Sequence, residues 1–191
     1  VNISRWHIIL LISFTLLACS RSKDTQMYVL APIPPQKHSV SEYKNLRIGI
    51  DSVNIPAYIE KPQLMLHTTS HRLEPEEYHQ WAEAVDKNIM RVVETDLSTL
   101  LPGSIVESSP WDSKFKPNYH LQIDISQFEM DICGSSKLRA EYLIYYKEAL
   151  IKRGKVYYHS QVPKVTIEAL VMSMNANLTR LTRSIAKVFS G

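Results

Sequence analysis

The sequence predicts an α+β fold: a twisted, mostly antiparallel sheet with two long amphipathic helices packed on one face. Three observations predict it. Short stretches alternate apolar and polar residues, the period of a half-buried strand. Two longer stretches repeat apolar residues every three or four positions, the stripe of an amphipathic helix. The two kinds of segment interleave without strict alternation, and a late hairpin sits between the helices, which argues against a parallel βαβ array.

Leu46 to Pro56, LRIGIDSVNIP, sets Leu46, Ile48 and Ile50 against Arg47, Gly49 and Asp51, and reads as a strand. QLMLHTTSHRL, from Gln63, reads as another strand or a short hairpin. In the stretch from Glu74 to Gly103, Tyr78, Trp81, Ala82, Val85, Ile89, Val92, Val93 and Leu100 form one helical stripe. Pro75 suits a first turn, Glu76 and Glu77 complement the helix dipole there, and Pro102-Gly103 stops the helix. SIVES (104–108) and NYHLQIDISQFEMD (118–131) read as strands, the second with Tyr119, Leu121, Ile123 and Ile125 on one face.

Lys137 to Pro163 reads as two strands around Lys152-Arg153-Gly154-Lys155, with Gly154 supplying the positive φ of a tight hairpin. Tyr142, Tyr145, Tyr146, Tyr157 and Tyr158 crowd this segment, as cross-strand aromatic pairing would explain. The last helix, Val165 to Phe189, carries Ile167, Val171, Met174, Leu178, Leu181, Ile185 and Val188 at alternating spacings of four and three. Such a seam faces the core, or contacts a second copy or a partner.

Composition is globular, and a net charge of +3 with no basic block gives no sign of nucleic-acid binding. Motifs of catalysis are missing: the five glycines form neither a phosphate loop nor GxGxxG, and GxSxG does not occur. His67, His71, Glu74, Glu77 and His79 form the richest polar cluster, but their spacing matches no HExxH or zinc-finger pattern. The sequence therefore predicts no catalytic residues, no metal and no cofactor. Asn177-Leu178-Thr179 is a glycosylation sequon in mid-helix.

Residues 1–18 read as a targeting segment. The apolar run IILLISFTLLA, Ile8 to Ala18, would rise roughly 16 Å as a helix, too short for a hydrocarbon core of about 30 Å. It has no polar face, Arg5 precedes it, and no acidic residue occurs before Asp24. Leu16-Leu17-Ala18-Cys19 resembles the lipobox of bacterial lipoproteins. That resemblance implies cleavage between Ala18 and Cys19, with acylation of the Cys19 thiol and of the new amino terminus. The alternative is an ordinary signal peptide ending at a chance cysteine. Two acyl chains or more would hold the chain stably on a membrane. By the sorting pattern of such lipoproteins, Ser20 implies the periplasmic face of the outer membrane. Cys133 would then be the one remaining cysteine, in a turn or in the core. Residues 19–44 are polar around Pro32, Pro34 and Pro35 and read as a lipidated tether, in which MYVLAP offers an edge strand. Residues 45–191 form the single domain.

IPAYIEKPQL (Ile55 to Leu64), HQWAEAV (His79 to Val85) and NYHLQIDISQFEMD, taken in order with the lipobox, resemble the PqiC/YmbA-type auxiliary lipoproteins of envelope transport. Ile59, Glu60 and Lys61 depart from the usual Leu, Asp and Arg. The resemblance implies a non-enzymatic accessory subunit of an MCE-type intermembrane phospholipid transport system, docking an MCE-domain periplasmic protein at the outer membrane. It makes phospholipid itself, and a second copy of the chain, further candidate partners. Pro56, Tyr58, Lys61 and Pro62 are the candidate partner-binding residues, on a loop expected to be extended and rigid with Tyr58 as an exposed amphipathic anchor. A structural turn between two strands is the competing reading of that loop. The competing function is a tethered regulator of a cell-wall enzyme or a secretion-channel component.

Overall fold

A computed structural model describes residues 23–36 and 42–190. Ala18 and Cys19 lie outside the described residues. Eight strands form one mixed sheet: β1 (Gln26–Tyr28), β2 (Arg47–Asn54), β3 (Gln63–Thr69), β4 (Arg72–Trp81), β5 (Ile105–Ser108), β6 (Tyr119–Asp131), β7 (Ser135–Tyr146) and β8 (Ala149–Gln161). Helices α1 (Val85–Leu100) and α2 (Ile167–Ala186) cover one face of it, as the sequence predicted.

The centre is β6. On one edge it pairs antiparallel with β7, which pairs antiparallel with β8, and these two long ladders make up most of the pairing. Its other edge is shared. β2 lies parallel to its first half, from Ile48↔Tyr119 to Asn54↔Asp124, and carries β5 outside it. β3 rejoins the same edge further on, at Leu66↔Met130 and His67↔Asp131, and carries β4 and then β1. The chain from 55 to 62 therefore bridges two segments that use the same side of one strand.

The alternating strands point Ile48, Ile50, Leu121, Ile123, Leu138 and Ile144 at the helices, all fully buried in one core. The α2 seam lies inside, with Val171, Met174, Leu178, Leu181 and Ile185 buried, each such side chain contributing roughly 1.5–3 kcal/mol. Thr166 caps α2, its side chain accepting from the Ala169 N–H at 3.1 Å. Asn177 is fully buried within the seam. Its amide accepts from Ser160 Oγ at 2.9 Å and donates to Ser136 Oγ at 3.1 Å, tying α2 to β7 and β8. That burial closes the sequon to glycosylation.

Three expectations need correction. The first helix begins at Val85, and Pro75, Glu76, Glu77, Tyr78 and Trp81 belong to β4. Pairing with β3 overrides the local helical pattern, and the register is irregular between Met65↔Pro75 and Gln63↔Gln80, where a strand proline is tolerated. The β7–β8 turn lies at Lys147-Glu148, with Lys147 itself at φ 55°, and Gly154 is a mid-strand residue opposite Tyr142. A Cβ on Gly154 would stand 2.2 Å from Tyr142 Cζ, so the glycine makes room for an aromatic ring rather than for a turn. Of the five crowded tyrosines none faces another across the β7–β8 ladder; the tyrosine pair is Tyr119–Tyr146, with ring centroids 5.0 Å apart.

Part of the expected tether is built into the domain. β1 adds parallel to β4, as the edge-strand reading of MYVLAP foresaw, and Leu30 enters the core. The following residues form a strap held by helix side chains. Asn88 of α1 accepts from the Leu30 N–H at 2.6 Å and donates to its carbonyl at 3.2 Å, imitating a backbone ladder. Asn175 of α2 accepts from the Ala31 N–H at 2.9 Å, and Asp96 of α1 from the Ile33 N–H at 2.8 Å. The prolines keep the peptide extended, and distant amides supply the partners that an extended chain lacks.

Candidate functional site

The bridge from β2 to β3 is an arch. It is turned rather than extended. The Ile59 N–H donates to the Pro56 carbonyl at 2.9 Å and the Glu60 N–H to the Ala57 carbonyl at 3.3 Å. The turn drives Ile59 into the core and leaves Ala57, Glu60, Lys61 and Pro62 exposed. The Pro62 carbonyl accepts from the Trp81 N–H at 2.8 Å, fixing the foot of the arch to β4.

Tyr58 is pinned. Its hydroxyl donates to Glu129 Oε1 of β6 at 2.6 Å. Burial raises the Tyr58 pKa well above its ordinary value, and the hydrogen bond to Glu129 and its negative charge add to the rise. Tyr58 thus serves first as a strut, with its hydroxyl committed to Glu129. Glu129 Oε2 lies 3.4 Å from His67 Nε2 and 3.5 Å from Gln127 Nε2. His67 Nδ1 donates to the Thr69 carbonyl at 3.2 Å, since a carbonyl can only accept. Arg139 Nε donates to Gln127 Oε1 at 2.8 Å and stacks over Tyr157, its guanidinium carbon 4.9 Å from the ring centre. A polar chain therefore crosses the open face of the sheet from the arch to β8.

Two grooves flank the arch. One, about 380 Å³, is lined by Lys61, Gln63, Met65, Pro75 and Glu77. The other, about 360 Å³, lies between the β3 end and the β6–β7 turn, with Glu129, Asp131 and Lys137 among its walls. Between the arch and the core the enclosed space is only about 10 Å³, bounded by Ile59, Trp81, Phe128 and Met174 among others. Ligand pockets run to several hundred Å³, so this interior is filled by side chains.

The sequence-selected residues distribute as follows. Pro56, Tyr58, Lys61 and Pro62 all lie on the arch. The His67, His71, Glu74, Glu77, His79 cluster does not converge; among the described residues no three such groups come together to hold a metal ion. His79 Nδ1 instead meets the Tyr28 hydroxyl at 2.8 Å. Cys133 is exposed in the β6–β7 turn. Glu129 was not singled out from sequence, although it stands in the Phe-Glu motif of β6.

The motifs that carried the family resemblance meet in space. Tyr58 and Ile59 from the first, Trp81 from the second and Phe128-Glu129 from the third surround one point. Residues 28–186 match the family described as the ABC-type transport auxiliary lipoprotein component. The chain belongs to that family. The intermembrane transport lipoprotein PqiC of Escherichia coli K12 is 24% identical over 139 residues, 72% of this chain and 73% of the relative, and the Shigella flexneri PqiC matches equally. A crystal structure of an uncharacterized protein superposes with a TM-score of 0.74 at 18% identity, covering 87% of this chain and 99% of that one. Protein XCC0632 from Xanthomonas campestris gives 0.70 at 12% identity, covering 85% and 93%. These two share the fold of this auxiliary lipoprotein. Among its described residues no helix is long and apolar enough to cross a membrane.

Proposed function

We propose that this auxiliary lipoprotein is a non-catalytic subunit of an intermembrane phospholipid transport system. Cleavage after Ala18 exposes Cys19, whose acyl chains hold the protein on the periplasmic face of the outer membrane. The arch then docks an MCE-domain protein of the transporter. The observation that carries this reading is the pinned arch. Three sequence motifs, far apart in the chain, are spent on fixing one exposed turn, Ala57 to Pro62, against β6. A surface held this firmly loses little conformational entropy when a partner binds. Lys61 and Pro62 stand out on it, with the apolar-walled groove beside them. The filled interior favours docking over carriage of a lipid inside the domain.

The test is crosslinking in intact cells followed by mass spectrometry of what the lipoprotein captures. An MCE-domain protein should be captured by the unmodified chain and lost from Lys61→Glu, which leaves the buried struts untouched. Capture of a cell-wall synthase instead, with Lys61→Glu indifferent, would overturn the docking assignment. Cys19→Ser should release the protein from membranes; persistence of acylation in that variant would remove the anchor assignment.

A further inference from the structure

The strap and β1 fix where the chain enters the domain, and this constrains how the domain meets its membrane. β1 runs parallel to β4, away from the end of the sheet formed by the β3–β4 turn, the β6–β7 turn and the β8–α2 loop. Residues 23–25 therefore run in the direction of that end, and Lys23 Nζ lies 5.2 Å from the centre of the Tyr78 ring in β4. A peptide extends by at most about 3.6 Å per residue, so the four steps of chain from Lys23 back to Cys19 can span no more than roughly 14 Å.

That end of the domain exposes apolar side chains without an internal partner face. Ile132 in the β6–β7 turn and Val165 in the β8–α2 loop are each 49% exposed, and Met172 on α2 is 66% exposed. The turn and the loop are laced into one unit. The Val162 N–H donates to the Gly134 carbonyl at 2.9 Å, and Gln161 Nε2 to the Cys133 carbonyl at 2.6 Å. Val165 lies over Gly134, where a Cβ would meet its Cγ2 at 2.8 Å and where φ is +87°. Exposed Lys164 is the neighbour of Val165 in the chain, and Lys137 offsets Asp131 at 3.9 Å. Rigid apolar tips beside lysines fit an interface of acyl chains under anionic phosphates.

We propose that this end, with Ile132 and Val165 as its tips, seats on the phospholipid bilayer that holds the anchor. The occupant is the membrane itself, selected by the short leash and by the sign of the flanking charges. The proposal rests on acylation of Cys19. It makes the domain an oriented body standing on the membrane, not a bead on a long string.

With Cys19 acylated, Cys133 is the one thiol left, and it lies in the seated turn. The full-length lipidated protein, labelled there with an environment-sensitive fluorophore, is bound to vesicles of phosphatidylethanolamine and phosphatidylglycerol. Flotation reports the anchor, and quenching by doxyl-labelled lipids reports the seat. Flotation with roughly twofold quenching at Cys133 is expected, with none for a label at Ile105→Cys in a Cys133→Ser background, at the opposite end. The exposed-site pair Ile132→Glu and Val165→Glu should still float but lose the quenching. Flotation without quenching at Cys133, equal quenching at both ends, or unchanged quenching in the double variant would each overturn the seat and leave the anchor standing. Failure to float would remove the anchor, and the seat with it.

Discussion

The two faces of the sheet are both held by hydrogen bonds between distant segments, yet they differ in what surrounds those bonds. On the helix-covered face, Asn88, Asp96 and Asn177 are each no more than 1% exposed, and each secures an element to its neighbour. On the open face, the Tyr58–Glu129–Gln127–Arg139 chain runs through partly exposed residues to solvent-exposed ones. A polar group sealed from water has no substitute partner when its own is lost, whereas one at the surface takes a water. The covered face is where the fold is fixed, and the open face is where substitutions and partners are tolerated.

The largest expected effect breaks the covered face at the strap. Asn88→Ala removes both bonds to Leu30 and strands a buried N–H and carbonyl, at a cost of about 2–4 kcal/mol. Chemical denaturation should show it as a lowered midpoint with faster amide exchange at Leu30. A loss under about 0.5 kcal/mol would mean that the strap is not part of the cooperative unit. Next comes Gly154→Ala. Its Cβ must push the Tyr142 ring out of place, costing about 1–3 kcal/mol. The double change Gly154→Ala with Tyr142→Ala should be less destabilised than the sum of the single changes, because the clash needs both partners. Strict additivity would sink the packing account.

How legible was this in the sequence? Period two found β2, β5 and β6, and the four-three seam found α2, because both patterns record which side of one element is buried. The strand β4 was misread because Pro75, Glu76 and Glu77 imitate a helix start, while Tyr78, Trp81 and Ala82 fall at helical spacings. The decision between strand and helix was made by β3, a pairing that no local window contains. Gly154 was placed in a turn for its φ freedom when its missing side chain was the point. The strap escaped because its partners, Asn88, Asp96 and Asn175, lie 58 to 144 residues away. At the arch the four residues were found by resemblance. Their strut, Glu129, becomes visible only when β3 and β6 are laid side by side.

On the open face a smaller effect is expected. Tyr58→Phe keeps the ring and removes the hydroxyl that Glu129 accepts. The cost is about 1–2 kcal/mol, since Gln127 still approaches the carboxylate and the Glu129 side chain is 12% exposed. Partner capture should weaken along with stability if the strut holds the docking turn in shape. Lys61→Glu, by contrast, should leave the melting temperature unchanged and weaken capture alone. If Tyr58→Phe melts like the unmodified protein and captures normally, the strut has no role in either.

The smallest effect sharpens the comparison through pH. Burial raises the pKa of Asp96, outweighing the Ile33 N–H, the Arg183 charge and Thr182, which all pull it down. The folded protein therefore keeps this proton to a higher pH than the unfolded chain, whose value is near 3.8. Where the unfolded chain has released the proton and the folded one has not, ionisation favours unfolding. Stability from this group is thus fullest below 3.8, falls as pH rises to the folded pKa, and is level above it. Asp96→Asn retains an acceptor for the Ile33 N–H and removes the charge. Melting temperatures of the two proteins should separate in favour of Asn as pH rises above about 4, then run parallel. A constant difference, or one that favours Asp at neutral pH, would show that the ion earns its burial through Arg183, and that the covered face uses charge as well as shape.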